Sequence, residues 1–125
     1  MSITYTLTEK AASGAGGSVS AQHTEVGASE YTADQTFPAA SSDATLTAAF
    51  NYANVQAVYI LADQNCTLET NSGSSPDNTF SLIAGRPLVW SRSAGYTSNP
   101  FTANVTGLFV TCTPATRLQI KILLS

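Results

Sequence analysis

Residues Val55–Ala62 have the sequence VQAVYILA, in which Gln56 is the only side chain that is neither apolar nor aromatic. An almost continuous apolar run of this length, followed by the polar turn Asp63-Gln64-Asn65, is typical of a strand that is covered on both faces. We therefore expect Val55–Ala62 to form a central strand of the core.

The two ends of the chain show a second pattern. In Ile3–Thr8, ITYTLT, apolar residues alternate with threonine, and in Arg117–Leu124, RLQIKILL, they alternate with Gln119 and Lys121. A period of two predicts strands with one buried face. Weaker strand patterns bounded by turn residues lie at Ser18–Ala28, Tyr31–Phe37, Cys66–Thr70, Thr79–Ala84, Leu88–Arg92 and Asn104–Cys112.

The segment Asp43–Asn54 fits two structures. Leu46, Ala49, Phe50 and Ala53 would share a helical face behind an Asp43 cap, whereas Leu46, Ala48 and Phe50 would share one face of a strand. We expect either a short turn of helix or an irregular strand.

Eight or nine short strands in 125 residues are typical of a sandwich, a jelly roll or a small barrel. We predict a single all-β domain over residues 1–125, an antiparallel β-sandwich of jelly-roll type. The residues expected in its core are Tyr5, Val58, Ile60, Leu82, Phe109, Ile120 and Ile122.

Residues 11–18, AASGAGGS, contain three glycines and no side chain that could anchor them. This composition predicts a flexible loop, which would be a long hairpin connection or a mobile arm.

Charged residues make up only 10% of the chain, against about 25% in an average protein. A surface with so little charge is weakly protected against association, so we expect an oligomer or a component of an assembly. Residues 1–77 hold all eight acids and Lys10, a net charge of −7, while residues 78–125 hold four bases and no acid, a net charge of +4. These parts could pair within one subunit or between subunits.

Several partners and compartments do not fit this composition. Four scattered bases in an acidic protein favour no nucleic-acid partner, and no apolar stretch has the length of a membrane span. The N-terminus MSITYTLTEK lacks the pattern of a signal peptide, so we expect synthesis in a cytoplasm. Cys66 and Cys112 are therefore expected to be free thiols in the core, with a disulfide between them as the alternative.

The sequence contains no recognisable catalytic motif. His23 is the only histidine, the two cysteines have no zinc spacing, and Ser75–Asn78 has too few acids for calcium. The glycines of residues 13–18 are not followed by the Lys-Ser/Thr pair of a phosphate loop. We expect no enzyme activity, no cofactor and no metal.

Aromatic residues cluster near a predicted loop, Ser93–Pro100. Trp90, Arg92, Tyr96 and Phe101 lie within twelve residues and could line a rim that stacks on sugars. The favoured alternative places Trp90 and Phe101 in the core, because tryptophan is highly buried on average.

The order of features from Val55 to Leu124 resembles small head decoration, or cement, proteins of bacteriophages. The similarity lies in VQAVYILADQNCTLETN, a polar loop, TFSLIAGRPLVW, a loop ending in Asn99-Pro100-Phe101, NVTGLFVTC and a terminal RLQIKIL strand. It covers a little over half of the chain and includes no functional signature residue.

The resemblance implies a non-enzymatic virion protein that binds and stabilises the exterior of a capsid, with the major capsid protein as partner, often as a homotrimer. Arg86 and Arg92, with Trp90, Tyr96 and Phe101, form the candidate contact surface. The runner-up function is a carbohydrate- or receptor-binding module of a phage tail or fibre, with a glycan on the same surface. A small intracellular sandwich enzyme is the third.

Overall fold

The chain is described by a computed structural model that covers residues 2–94 and 96–125. Its strands are all paired in antiparallel fashion, as predicted. Ten strands are described, and a 3-10 helix, Tyr52–Asn54, precedes the fifth. In chain order they are β1 (Ile3–Ala12), β2 (Ser18–Gly27), β3 (Ser29–Phe37), β4 (Ser41–Leu46), β5 (Val55–Ala62), β6 (Cys66–Thr70), β7 (Thr79–Leu82), β8 (Leu88–Ser91), β9 (Leu108–Cys112) and β10 (Thr116–Leu124).

Eight of these strands form a jelly roll. Sheet I has the order β3-β10-β5-β8, and sheet II has the order β4-β9-β6-β7. The pairs β6-β7, β5-β8, β4-β9 and β3-β10 enclose one another around the loop at residues 71–78. From β3 to β10 the chain therefore follows the path of one long hairpin that passes alternately through the two sheets. Two four-stranded sheets connected in this way are a jelly roll, which confirms the predicted fold class. β1 and β2 form a separate two-stranded hairpin.

The core lies between the two sheets and is centred on β5 and β10. The inward side chains of β10, Leu118, Ile120 and Ile122, are at most 2% exposed, and they pack in one cluster with Val58 and Ile60 of β5. Five of the seven predicted core residues are therefore confirmed: Val58, Ile60, Leu82, Ile120 and Ile122.

The prediction was wrong for Tyr5 and Phe109. Tyr5 belongs to the β1-β2 hairpin and lies outside the core cluster, half-buried, with its hydroxyl donating to Glu30 at 2.6 Å. Burial and the Glu30 carboxylate raise the pKa of the Tyr5 phenol above its usual range. Phe109 is half-buried because Leu108 and Val110 on either side of it face the core. Successive strand residues point to opposite faces, so Phe109 points outward.

The expectation that β5 is covered on both faces holds at one end only. Ala57 on the outer face is completely buried, and strand β2 of the hairpin is packed against β5. Further along the same face Tyr59 is 39% exposed and Leu61 is half-buried. The outer face of sheet I is therefore open beyond the hairpin.

The ambiguous segment Asp43–Asn54 is an irregular strand that ends in a turn of 3-10 helix. A left-handed residue, Asp43 at φ 50°, coincides with a shift in the register of β4 against β9. Ala48 and Phe50 are buried, as the strand alternative requires, and Asn51 caps the 3-10 helix by accepting from the Ala53 amide at 2.9 Å.

Of the predicted loop at residues 11–18, residues 13–17 do connect β1 to β2, whereas Ala11, Ala12 and Ser18 belong to the strands. Ala11 pairs with Val19 and Ala12 with Ser18, so the connection between β1 and β2 shrinks to residues 13–17. Gly16 and Gly17 adopt φ values of 101° and 83°, which an L-residue rarely reaches, and they make this short turn possible. Cross-strand pairing outweighs the weak strand preference of Ala, Ser and Gly here.

Cys66 and Cys112 are free and buried in the core cluster, where they face each other across the β6-β9 ladder. Burial, together with the neighbouring Cys112 and Asp63, raises the pKa of the Cys66 thiol to about 11. At neutral pH this thiol is therefore protonated, which makes it a poor nucleophile.

We predict that Ile120→Ala lowers the free energy of unfolding in urea by about 2–5 kcal/mol, because it removes buried methyl groups and leaves a cavity. Ile83→Ala is a matched control at a residue that is 48% exposed. It should change the free energy by about 0.5 kcal/mol or less. Equal effects of the two variants would contradict the assigned core.

We also predict that both thiols of the folded protein react slowly with an alkylating reagent at pH 8, and that both react fully after unfolding without reductant. The folded-state rate at Cys66 should rise as the pH approaches about 11, because the thiolate forms there. Mass spectrometry of alkylated peptides measures each site. Rapid labelling of Cys66 at pH 8 in the folded protein would contradict its burial.

Candidate functional site

The five residues of the predicted contact surface do not form one surface. Trp90 is 8% exposed, and its indole Nε1 donates to the carbonyl of Thr97 at 3.0 Å. Phe101 is 2% exposed and makes edge-to-face contacts with Phe50 and Phe80, at centroid distances of 5.3 and 5.5 Å. Both rings belong to the core, as the favoured alternative stated, so neither can stack on a sugar.

The two arginines lie at opposite ends of β8. Arg86 is exposed in the turn that leads from β7 to β8, and Arg92 follows directly after β8. At about 3.3 Å per residue they are separated by roughly 20 Å along the chain. The Arg92 guanidinium donates to the carbonyls of Ala53 and Val55 at 3.1 and 2.8 Å, and lies 5.8 Å from the centroid of the Trp90 ring. Arg92 is thus engaged in holding the turn before β5.

Tyr96 is the one aromatic residue of the predicted rim that is fully exposed. It borders a cavity of about 220 Å³ beneath the hairpin, which Leu7, His23, Val89 and Trp90 also line. His23 is half-buried at this position, on strand β2.

The loop Asn71–Asn78 is fixed by hydrogen bonds. Asn71 adopts φ 70°, and its side chain donates to Asp77 at 2.6 Å and to the carbonyl of Asn104 at 2.8 Å. Its carbonyl oxygen accepts from the Thr106 amide at 2.7 Å. Asn78 is bound to Thr102 in the same way. This loop is therefore part of the rigid body of the sandwich.

The hairpin contains the most exposed segment of the chain. From residue 8 to residue 22 every side chain is exposed, and Val19 reaches 77%. We call residues 8–22 the arm tip. Its only charged residues are Glu9 and Lys10. The arm tip provides two paired strands whose outer edges have no partner among the described residues.

The base of the hairpin is fixed to the sandwich by close contacts. Glu25 is 7% exposed, and one of its carboxylate oxygens accepts from both the amide and the hydroxyl of Ser93, at 2.6 Å from the amide nitrogen. Gly27 lies so close to β10 that a Cβ there would collide with the carbonyl oxygen of Leu124 and meet Leu123 Cγ at 2.9 Å. The hairpin therefore has a fixed base and a free tip.

The open part of sheet I contains a groove that the sequence analysis did not identify. A cavity of about 460 Å³ lies over the outward side chains of β3, β10 and β5, and a second of about 400 Å³ lies between this face and β1. Tyr59 and Lys121 line both. We call this combined surface the outer groove. An exposed tyrosine in an apolar run was the available signal, but only the strand register shows which residues surround it.

Between the acid-rich and base-rich parts of the chain, one ion pair within 4.0 Å is found among the described residues. The Arg117 guanidinium makes two hydrogen bonds with the Asp34 carboxylate, at 2.9 and 2.8 Å. These bonds hold the pKa of the Asp34 carboxyl below its usual range. Both side chains are about half exposed, so this pairing within one subunit occurs at the surface.

Within residues 2–94 and 96–125, no three His, Cys, Asp or Glu side chains group as a metal site would require. The same part of the chain has no helix with the length and apolar character needed to cross a membrane. Comparison of the chain with protein-family models, with curated proteins and with solved structures finds no match.

We predict that Glu25→Ala weakens the attachment of the hairpin and lowers the free energy of unfolding by about 1.5–3 kcal/mol, since it removes hydrogen bonds to a buried charged group. Hydrogen exchange should also show faster exchange of β2 amides. Glu9→Ala, an exposed acid on the same hairpin, is the matched control and should change stability by about 0.5 kcal/mol or less. An unchanged exchange rate in Glu25→Ala would contradict the anchoring role.

Proposed function

We propose that this chain is a non-enzymatic structural protein that binds the outer surface of a phage capsid and stabilises it, with the major capsid protein as its partner. The observation that carries the proposal is the arm tip, a bare two-stranded segment attached to a rigid jelly roll. The resemblance of Val55–Leu124 to head decoration proteins supports the same function. In this proposal the arm tip makes the contact with the capsid, and the sandwich is the folded domain to which the arm is attached.

The edges of the arm tip differ from those of the sandwich. Sheet I ends in β8 and sheet II in β7, and each of these edge strands has only four residues. The other two edge strands are longer, but β3 carries Glu30 and Asp34, and β4 carries Asp43 at the shift in its register against β9. Short strands and charged side chains protect edges against further pairing. β1 and β2 have ten residues each. Glu9 and Lys10 lie on β1, whereas the β2 part of the arm tip, residues 18–22, has neither charge nor proline, so that edge is open to addition of a strand from a partner.

The stabilising effect would come from many weak contacts. A ligand that binds only the assembled state shifts the assembly equilibrium by mass action. A capsid presents the same site in many copies, so a modest affinity at each site acts on the whole shell. The low charge of the chain favours contacts made by backbone edges and small side chains over contacts made by salt bridges.

The trimer is part of this proposal. An arm that reaches from one subunit to a different surface of the next makes a heterologous contact, and such contacts close into a trimer when successive subunits are related by a rotation of about 120°. The acidic first part and the basic second part of the chain provide unlike surfaces for this contact. Subunits that are monomeric in solution could associate on the shell.

The test uses phage heads from which the gene for this protein is deleted. Such heads should release DNA at a lower temperature and at low ionic strength, and added protein should restore them. A variant in which Asn-Gly replaces residues 10–20 and joins Glu9 to Ala21 through a two-residue turn shortens the arm and should fail to restore them. Electron microscopy of restored heads should show the protein grouped in threes on the exterior.

The control keeps the backbone of the arm and removes its charges, through Glu9→Gln combined with Lys10→Gln. This variant should restore the heads as well as the original protein does, because the proposed contact depends on strand edges. Heads that survive heating equally with and without the protein would overturn the proposed function. Full restoration by the shortened variant would overturn the role of the arm.

A further inference from the structure

The two cysteines lie directly opposite each other at one end of the β6-β9 ladder. Cys66 is the first residue of β6, and Cys112 is the last residue of β9. Both side chains point into the core cluster, where they are 7% and 5% exposed. Directly opposite residues on one face of an antiparallel pair have Cβ atoms about 4.5–5.5 Å apart. The strand register therefore makes the two thiols neighbours in space.

The hydrogen bonds of this ladder show which kind of pair the cysteines form. Just beyond the end of β6, the Asn71 amide donates to the carbonyl of Gly107 at 2.9 Å, at positions that continue the same register. Hydrogen-bonded and non-hydrogen-bonded pairs alternate along an antiparallel ladder. Position 66 is an odd number of steps from position 71, so Cys66 and Cys112 form a non-hydrogen-bonded pair.

The hydrogen bonds of β6 with its other neighbour agree with this. The Thr70 amide donates to the carbonyl of Asn78 at 3.0 Å, in the register that pairs Cys66 with Leu82. Position 66 is an even number of steps from position 70, so the backbone groups of Cys66 point towards β7 and away from β9. In a non-hydrogen-bonded pair the Cα atoms are about 4.5 Å apart, the shorter of the two spacings in an antiparallel ladder.

This spacing suits a disulfide that can be formed and broken. Disulfides join Cα atoms that are about 4.4–6.8 Å apart, so a pair at about 4.5 Å can be bridged without separating the strands. The same spacing is near the lower limit of that range, which puts strain on the bond. Strained disulfides are reduced more readily than relaxed ones.

The surroundings of the thiols allow the bond to form. The Cys112 thiol is a weak donor to the carbonyl oxygen of Pro38, at 3.6 Å. That oxygen also accepts from the Ser41 hydroxyl at 2.7 Å, so it keeps a partner when the thiol proton is lost. A cavity of about 330 Å³ borders both cysteines, and the exposed residues Asn65 and Thr113 also line it. A small oxidant can therefore approach the pair from the surface.

We propose that Cys66 and Cys112 are a site of reversible oxidation, at which a small disulfide such as oxidised glutathione converts the two thiols into a disulfide within the native fold. One protein thiolate attacks a sulfur of the oxidant and displaces one glutathione thiolate, which leaves a mixed disulfide. The other protein thiolate attacks the protein sulfur of that bond and displaces the second glutathione. The protein loses two electrons and two protons, and one oxidised glutathione becomes two reduced molecules.

The bond would link the first residue of β6 to the last residue of β9 and so close one end of their ladder. The closed loop contains β7 and β8, and cross-linking a long loop stabilises a fold by restricting the unfolded chain. Oxidation should therefore make the domain more resistant to heat. The site lies in sheet II, so this modification goes beyond the proposed capsid function and does not depend on the arm tip.

Oxidation of the folded protein should be slow at neutral pH. Burial raises the pKa of the Cys66 thiol to about 11, and the neighbouring Cys112 adds to the rise. Because the thiolate is the form that attacks a disulfide, the rate should increase as the pH rises. The thiols should stay free until an oxidant is supplied, in agreement with the alkylation expected above.

The experiment treats the reduced protein with oxidised glutathione at pH 8 in two ways. One sample stays folded, and the other is unfolded in urea and refolded in the presence of the oxidant, so that burial does not limit access to the thiols. Intact-mass measurement should show a product that is lighter by two hydrogen atoms and carries no glutathione, and peptide mapping should join Cys66 to Cys112. The Tm of this product should be about 5–10 °C higher than that of the reduced protein, and dithiothreitol should reverse the change.

Single variants provide the controls. Cys66→Ala and Cys112→Ala each leave one thiol, which can form only a mixed disulfide. Each variant is compared with and without oxidant, so any loss of stability from the removed sulfur is present in both samples. Neither variant should gain heat resistance on oxidation.

Three results would overturn the proposal. The first is a protein that stays reduced after both treatments, and the second is a reaction that stops at the mixed disulfide with glutathione. Either would show that the native fold does not bring the two sulfur atoms together. The third is an internal disulfide that leaves the Tm unchanged or lowers it, because the bond would then be incompatible with the native β6-β9 pairing.

Discussion

The pairing of β10 with both β3 and β5 is the interaction on which the rest of the structure depends. Its inward residues Leu118, Ile120 and Ile122 fill the space between the sheets. Two of its outward residues have other roles. Leu123 lies under the base of the hairpin, and Lys121 lines the outer groove. β10 thus positions core side chains, the leucine under the base of the hairpin and the lysine that lines the outer groove. A change in the register of β10 by one residue would exchange its two faces and disrupt all three.

The hairpin is held at one end only, and this asymmetry separates two surfaces. Gly27 permits contact with β10 that any larger residue would block, and Glu25 is bound to Ser93. No side chain of the arm tip, residues 8–22, is buried. The base therefore serves as a wall of the outer groove, through Tyr5, while the tip remains available to another molecule. The arm tip and the outer groove are therefore separate surfaces of one subunit and have no residue in common.

Sequence patterns located most strands because each depends on a local alternation or apolar run. They failed where the residues of a segment fit two structures equally well. Leu108, Phe109 and Val110 are all apolar, so their period could not indicate which face is inward. Ala11, Ala12 and Ser18 have little strand preference, and they are in strands because β1 and β2 continue to pair. The outer groove could not be predicted, since Tyr59 and Lys121 are 62 positions apart and only the β5-β10 register makes them neighbours.

Under the proposed function, the arm tip has to expose free strand edges to a partner without pairing with identical arms, and its composition is consistent with both requirements. Two ten-residue strands with free edges would invite pairing between identical arms if they were rich in β-branched or aromatic residues. Ala, Ser and Gly have low strand preference, so pairing between two such arms gains little from side chains. The core strands β5 and β10, in contrast, are rich in Ile, Leu and Val, of which the arm tip contains only Val19. Under the proposed function, strand addition becomes favourable when a partner supplies a strand of higher preference or holds the arm close to it, which disfavours pairing between the arm tips of two copies.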